Sequence, residues 1–426
     1  MSVLVGNMLV VQTGGGTCAA NASLAGAVLQ AGRHPESIEE IYGAVNGFAG
    51  ILEGRLIDLQ EEKQQTIKDL CHTPGAALGA GTLTLDFQAN PELAAAQTAA
   101  LFEVLEQNNV RYLFPIGGVH TQDLANRIHT EARTRGYELR VIGIPKSATN
   151  EIPGTDHSPG YGSAVKALAS TVLEAHLDTL AGGEEACTIV EVPGTTTGWL
   201  AAGSLVGRQA PDAPPHLVLI PEMPVDEAQL MTRIQETVER VGTCCIVVSE
   251  GAVNSAGAPL AAAGAGSVGD RLGALIGESI GFSATVHRVG RTPYCSGRLA
   301  SQTDLDEAYD CGRNAVLSAI NGQSAFMVKL VRQSTDPYRC TIGLTQFSDV
   351  IGGGNPIPAE WLDPAKLLPN EAFLHYLRPL VQGEPGIPME SGLPVYARLA
   401  KVAVELEAGG EPEVEEPPVD EAPATL

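Results

Sequence analysis

Leu139-Arg140-Val141-Ile142-Gly143-Ile144-Pro145-Lys146-Ser147-Ala148-Thr149-Asn150-Glu151-Ile152-Pro153-Gly154-Thr155-Asp156-His157-Ser158-Pro159-Gly160-Tyr161-Gly162-Ser163 decides the fold. An apolar run, Leu139 to Ile144, gives way to a turn rich in Pro, Gly and hydroxyl residues, as a buried strand does where it delivers a ligand loop. Upstream, Thr121 to Gly136 reads as a helix, and Tyr112-Leu113-Phe114-Pro115-Ile116 before Gly117-Gly118 reads as another strand. Nearer the start, Met8-Leu9-Val10-Val11-Gln12, the turn Thr13-Gly14-Gly15-Gly16-Thr17 and Asn21 to Val28 give strand, Gly-rich turn and helix. Such alternation predicts strands joined by crossover helices in a mainly parallel sheet.

A second set follows. Thr188 to Val192, His216 to Ile220 and Cys244 to Val248 read as buried strands, each meeting a Pro or Gly turn of the kind at which parallel sheets place ligands. The expected fold is therefore α/β with two lobes, and 426 residues at 44% hydrophobic suffice for two cores. A Gly-rich turn between strand and helix either cradles an anion on its backbone N–H groups or simply makes a tight corner.

Composition excludes several classes. A formal charge of −24 argues against nucleic acid, whose phosphates would be repelled. No window of about 18 apolar residues and no signal-peptide pattern occurs, so a cytoplasmic protein outside the membrane is expected. The eight cysteines show no metal spacing and read as reduced, partly buried thiols. Residues 409–426 are acidic, Pro-rich and without a basic side chain, which predicts a disordered tail.

The opening segment resembles the phosphofructokinase signature PKTIDND followed by TDHxPGxGS. Gly14-Gly15-Gly16-Thr17 with Asn21 to Gly26 is similar to GGPTxxINASLAG of the pyrophosphate-using members, and Tyr42-Gly43 with Asn46-Gly47 and Gly50 to YGxxNGxxGLL. Later, Glu191-Val192 with Gly194 and Gly198-Trp199 resembles EVMGRxxGW, Ile220 to Pro224 resembles IPExP, and Val248 to Ala252 resembles VSEGA. Ser301, Asp304, Glu307-Ala308, Gly312 and Ala315-Val316 fall at the spacing of SxxDxxEAxxxGxxAV, and Tyr376, Pro379-Leu380 and Gly383 fit YxxPLxxG.

The resemblance, over about residues 8 to 400, implies two similar lobes, each with a mainly parallel sheet covered by helices, and a ligand cleft between them. It assigns residues 1–160 with about 294–342 to a phosphate-donor lobe and 161–293 with about 343–405 to a sugar-phosphate lobe. It implies phosphoryl transfer to fructose 6-phosphate from pyrophosphate or ATP, with Mg²⁺, in a homo-oligomer or a hetero-oligomer with an active paralogue. That chemistry needs metal ligands, cations on the phosphates and a base for the hydroxyl proton.

Several of those residues are replaced. Thr149 stands at the base position, and a threonine hydroxyl accepts no proton at neutral pH; Glu151 keeps the charge of the motif's second aspartate. Around the donor site the resemblance selects Gly14, Gly15, Gly118, Val119 and His120, and a valine cannot ligate Mg²⁺, so no metal ligand is assigned. Thr82 replaces an arginine. On the sugar side it selects Ser147, Asn150, Pro193, Gly194, Thr195, Glu250 and Tyr294, with Thr195 and Tyr294 at arginine positions; Arg291 and Arg298 stand near enough to compensate if the register slips. Lys146 matches the lysine of pyrophosphate users, its alternative being an ordinary exposed lysine before a turn. The expectation is a catalytically impaired family member with a regulatory or subunit role. Its alternatives are an active pyrophosphate-dependent enzyme with a rearranged site, or a cleft for a less anionic ligand.

Overall fold

The computed structural model describes residues 4–83, 90–182, 186–260 and 266–404. The expected disordered tail, 409–426, lies outside the described residues.

Two sheets organise the chain. The first is built from β1 (Gly6–Gln12), β2 (Ile38–Ala44), β3 (Leu56–Asp58), β4 (Val110–Gly117) and β5 (Arg140–Pro145). The second is built from β6 (Ala186–Val192), β7 (Leu217–Leu219), β8 (Thr243–Ser249) and β9 (Ser283–Arg288). A late hairpin, β10 (Phe326–Thr335) and β11 (Tyr338–Gln346), returns to the first sheet, whose order is β11-β10-β5-β4-β1-β2-β3. Its five inner strands are parallel, with antiparallel strands at both edges. The second sheet, ordered β7-β8-β6-β9, is parallel throughout.

Both faces of each sheet are covered, which is why the central strands are apolar on successive residues. Side chains alternate across a strand, so Met8 and Val10 of β1 join Tyr112, Phe114, Ile142 and Ile144 in one core under helices Ala20–Ala31 and Gln302–Ile320. Leu9 and Val11 face the opposite way, with Leu113 and Val141, against helices Pro91–Gln107 and Val119–Arg135. In the second sheet Cys187, Ile189, Ile246 and Val248 pack on Leu230, Ile234 and Leu272 of helices Glu227–Val241 and Val268–Ile280. Val190, Val192, Cys245 and Val247 pack on Val165, Leu168 and Val172 of helix Tyr161–Ala181. All eight cysteines are free, five of them buried.

The expected lobe boundaries need two corrections. A break at 342 would cut β11, which stays paired with β10 as far as Gln346. The end of the described chain also returns to the first sheet: Asp58 N–H donates to the Val402 carbonyl (2.9 Å) and Val404 N–H to the Leu56 carbonyl (3.0 Å). Segment 402–404 therefore covers the β3 edge, whose unpaired backbone groups it satisfies, instead of joining the second lobe.

The passage from first to second lobe is held by a buried ionic clasp. His157, 1% exposed, lies between Asp156 Oδ1 (2.8 Å to Nδ1) and Glu307 Oε2 (2.7 Å to Nε2). Arg332 grips Asp156 through Nε (3.1 Å) and Nη2 (2.9 Å), and Tyr338 donates to Glu307 Oε1 (2.6 Å). Burial pushes the imidazole pKa down, but the Glu307 and Asp156 carboxylates outweigh it and hold it up at about 9. One turn before Glu307 on the same helix, Asp304 accepts the N–H groups of Gly160 (2.7 Å) and Ser163 (3.2 Å), capping helix Tyr161–Ala181. These landmarks of the sequence thus hold the fold together, away from the ligand cleft.

Candidate functional site

In the first sheet the connections run in opposite directions from β1 and β4, so a crevice opens beyond the carboxyl ends of these neighbouring strands. The cleft, about 900 Å³, lies there. Thr13 and Gly14 follow β1, Gly118 to Thr121 follow β4, and Lys146 to Thr149 with Glu151 follow β5. Thr195 to Thr197 follow β6 and Arg291 and Tyr294 follow β9, so both lobes supply walls.

Lys146 is 4% exposed, which rules out the exposed-lysine alternative. Its Nζ donates to the carbonyls of Gly14 (3.2 Å) and Gly15 (2.9 Å). Burial first, then the Arg291 charge, lower its pKa from 10.5 to about 8, while Glu151 acts in the opposite sense. Gly14 and Gly15 hold φ of 72° and 85°, a left-handed turn that glycine permits. Beside it, helix Val119–Arg135 begins at Gly118 without a side-chain cap, directing its first N–H groups at the cleft. Thr13 and Thr121 share a short hydroxyl hydrogen bond at the same end.

At the base position, Thr149 Oγ1 donates to the Glu151 carboxylate in a short hydrogen bond. Ser147 Oγ completes the group, lying 3.2 Å from Thr149 Oγ1 and accepting from the Thr149 N–H at 3.2 Å. The two-residue offset of Glu151 is thereby undone: the loop turns its carboxylate back onto the hydroxyl of residue 149. Glu151 is the one carboxylate among the described lining residues. Magnesium prefers an octahedron of oxygens anchored by carboxylates. A single carboxylate already receiving a hydroxyl, beside Val119, does not fit a Mg²⁺ held by the protein.

Of the residues selected from sequence, Gly14, Gly118, Val119, His120, Lys146, Ser147, Thr149, Glu151, Thr195 and Tyr294 line this cleft together. The others do different work. Asn150 is wholly buried with φ 54°; its Oδ1 accepts the Ser158 N–H (2.8 Å), fixing the loop. Gly194 takes φ 143° to let its carbonyl accept from Ser249 Oγ and the Gly251 N–H. Pro193 precedes that turn outside the lining, and the Glu250 side chain is exposed beyond it. Gly15 abuts Arg291 without lining the cavity. Burial pushes the Tyr294 phenol up to about 12, so it stays neutral at the arginine position it occupies. Arg291 enters the cleft and Arg298 does not.

Sequence reasoning missed Thr13, Thr17, Thr121, Thr196, Thr197, Phe48, Gly353, Gly354 and Pro356. The run Gly352-Gly353-Gly354-Asn355-Pro356 carried a turn signal, but nothing local ties it to β5.

Two lobes of mostly parallel sheet meet at this cleft, where a lysine, a glycine turn and a helix N-terminus converge beside the switch point. The chain belongs to the phosphofructokinase family, whose model matches residues 7–318. It is similar to the pyrophosphate–fructose 6-phosphate 1-phosphotransferase of Halomonas elongata, at 35% identity over 94% of this chain and 97% of that one. The solved pyrophosphate-dependent phosphofructokinase of Marinobacter aquaeolei superposes with a TM-score of 0.86 at 31% identity, covering 94% of this chain and 98% of the other. That of Nitrosospira multiformis gives 0.87 at 29%, covering 96% and 100%. Among the described residues, no helix is long and apolar enough to cross a membrane.

Proposed function

We propose that this chain binds a phosphate-bearing, polyhydroxylated ligand of the sugar-phosphate class in its cleft but is impaired in phosphoryl transfer, and serves as a regulatory or partner subunit beside an active paralogue. The hydrogen bond from Thr149 to Glu151 carries the reading. A base must accept the proton of the attacking hydroxyl, yet the group at that position is a hydroxyl whose own proton is committed to a carboxylate. Binding is supported separately by Lys146, Arg291 and the uncapped helix at Gly118, which suit an anion, and by the threonines and Ser147, which suit sugar hydroxyls.

The same hydrogen bond favours a second reading, in which Thr149 relays the substrate's proton to Glu151 and the protein is an active, rearranged pyrophosphate-dependent enzyme. One assay separates them. The full chain, with Mg²⁺, fructose 6-phosphate and either pyrophosphate or ATP, is expected to form no product above background. Thr149→Asp alone is expected not to restore activity, since Thr82, Val119 and Thr195 still stand where charged groups would be needed. Turnover well above background that Glu151→Gln abolishes overturns the first reading and establishes the second.

A further inference from the structure

Arg291 and Lys146 approach one glycine turn from opposite lobes. Lys146 follows β5, and Arg291 follows β9, 145 residues on, yet both donate to the Gly14 carbonyl, Arg291 through Nη2 at 3.3 Å. The Arg291 guanidinium fills the space that a side chain at Gly15 would take: a Cβ there would meet Nη2 at 2.0 Å. Its Cζ also lies 5.5 Å from the centre of the Tyr294 ring, which steadies the side chain. Among the described residues neither cation makes an ion pair within 4.0 Å. Two neighbouring positive charges are mutually unfavourable, and uncharged carbonyl oxygens compensate them weakly.

We infer that Arg291 is an anion-recognising residue of the glycine-turn end of the cleft, clamping a pyrophosphate-type anion together with Lys146 and so drawing the two lobes onto it. This rests on the reading of the cleft as a phosphate site. It goes further in assigning the second cation to a residue carried by the other lobe. Guanidinium suits the task because its planar fork meets two phosphate oxygens at once, and Arg291 is exposed enough to exchange the Gly14 carbonyl for them.

The test is calorimetric titration of the full chain with inorganic pyrophosphate. Arg291→Gln is expected to weaken binding about 10- to 100-fold, the loss of charge-assisted hydrogen bonds, and to flatten the salt dependence of the affinity. Arg291→Lys should recover part of it. Arg313→Gln, which alters an exposed arginine paired with Asp310, should bind as the wild type does. Arg291 is at the surface, so unchanged melting of the variants would establish that they fold. Equal affinity in wild type and Arg291→Gln overturns the inference and leaves the phosphate-cleft reading standing; a wild type that takes up no pyrophosphate also overturns the inference, and only a wild type that takes up neither pyrophosphate nor fructose 6-phosphate overturns both.

Discussion

Replacing Lys146 by methionine should make the protein more stable while removing its affinity for phosphates. The ammonium is 4% exposed and its pKa falls from 10.5 to about 8, chiefly through burial and then through Arg291. At 1.36 kcal/mol per pKa unit, keeping that charge in the fold costs about 3 kcal/mol at pH 7. Its hydrogen bonds to the Gly14 and Gly15 carbonyls return about 1 kcal/mol each. Methionine fills a similar volume without charge, so Lys146→Met should gain about 1 kcal/mol at pH 7. The sign of the pH dependence is fixed. Between pH 8 and 10.5 the unfolded lysine holds a proton that the folded one has lost, so wild-type stability rises with pH and the advantage of the variant shrinks. Thermal unfolding of both proteins from pH 7 to pH 10 measures this, with pyrophosphate titration beside it. A variant less stable than wild type by more than about 2 kcal/mol, with a gap that stays constant across that range, would refute the reasoning.

Glu307→Gln should cost about 3–5 kcal/mol near neutral pH, because it leaves His157 a buried imidazolium with one carboxylate fewer. His157 titrates at about 9 in the fold against 6.5 outside it, so its contribution is complete below pH 6.5 and is lost as pH rises through 9. Denaturant unfolding should therefore show the deficit of the variant narrowing in alkali, and a constant deficit would count against the clasp. Gly15→Ala should lose about 1–2 kcal/mol from its positive φ and weaken pyrophosphate binding by pushing Arg291 aside. Calorimetry that finds the affinity unchanged would place Arg291 outside the site.

Much of the fold could be read from local pattern, because a strand covered on both faces must be apolar on consecutive residues. The runs around Met8 to Gln12, Tyr112 to Ile116, Leu139 to Ile144 and Cys244 to Val248 all became central strands. The edges were harder. β9 mixes exposed and half-buried residues, and the β10–β11 hairpin is largely half-buried, so neither carries that signature. The cleft was legible where its residues directly follow a central strand, as Gly14, Gly118 and Lys146 do. It was hidden at Asn150 and Gly194, where turn geometry commits the side chain of the one and the carbonyl of the other to holding their loops.

By itself the sequence determined the layered architecture, the family, and the replacement of an acid by Thr149, since each depends on residue type at a local position. Only the tertiary structure decided what the surviving charges do. Asp156, Asp304 and Glu307 were drawn into the packing of the helices between the lobes. Glu151 was folded back onto Thr149, and Arg291 was brought beside Lys146 across 145 residues of chain. The physical reason is range: hydrophobic periodicity acts over a few residues, whereas the reach and pairing of a charged side chain depend on which distant segment the fold sets against it.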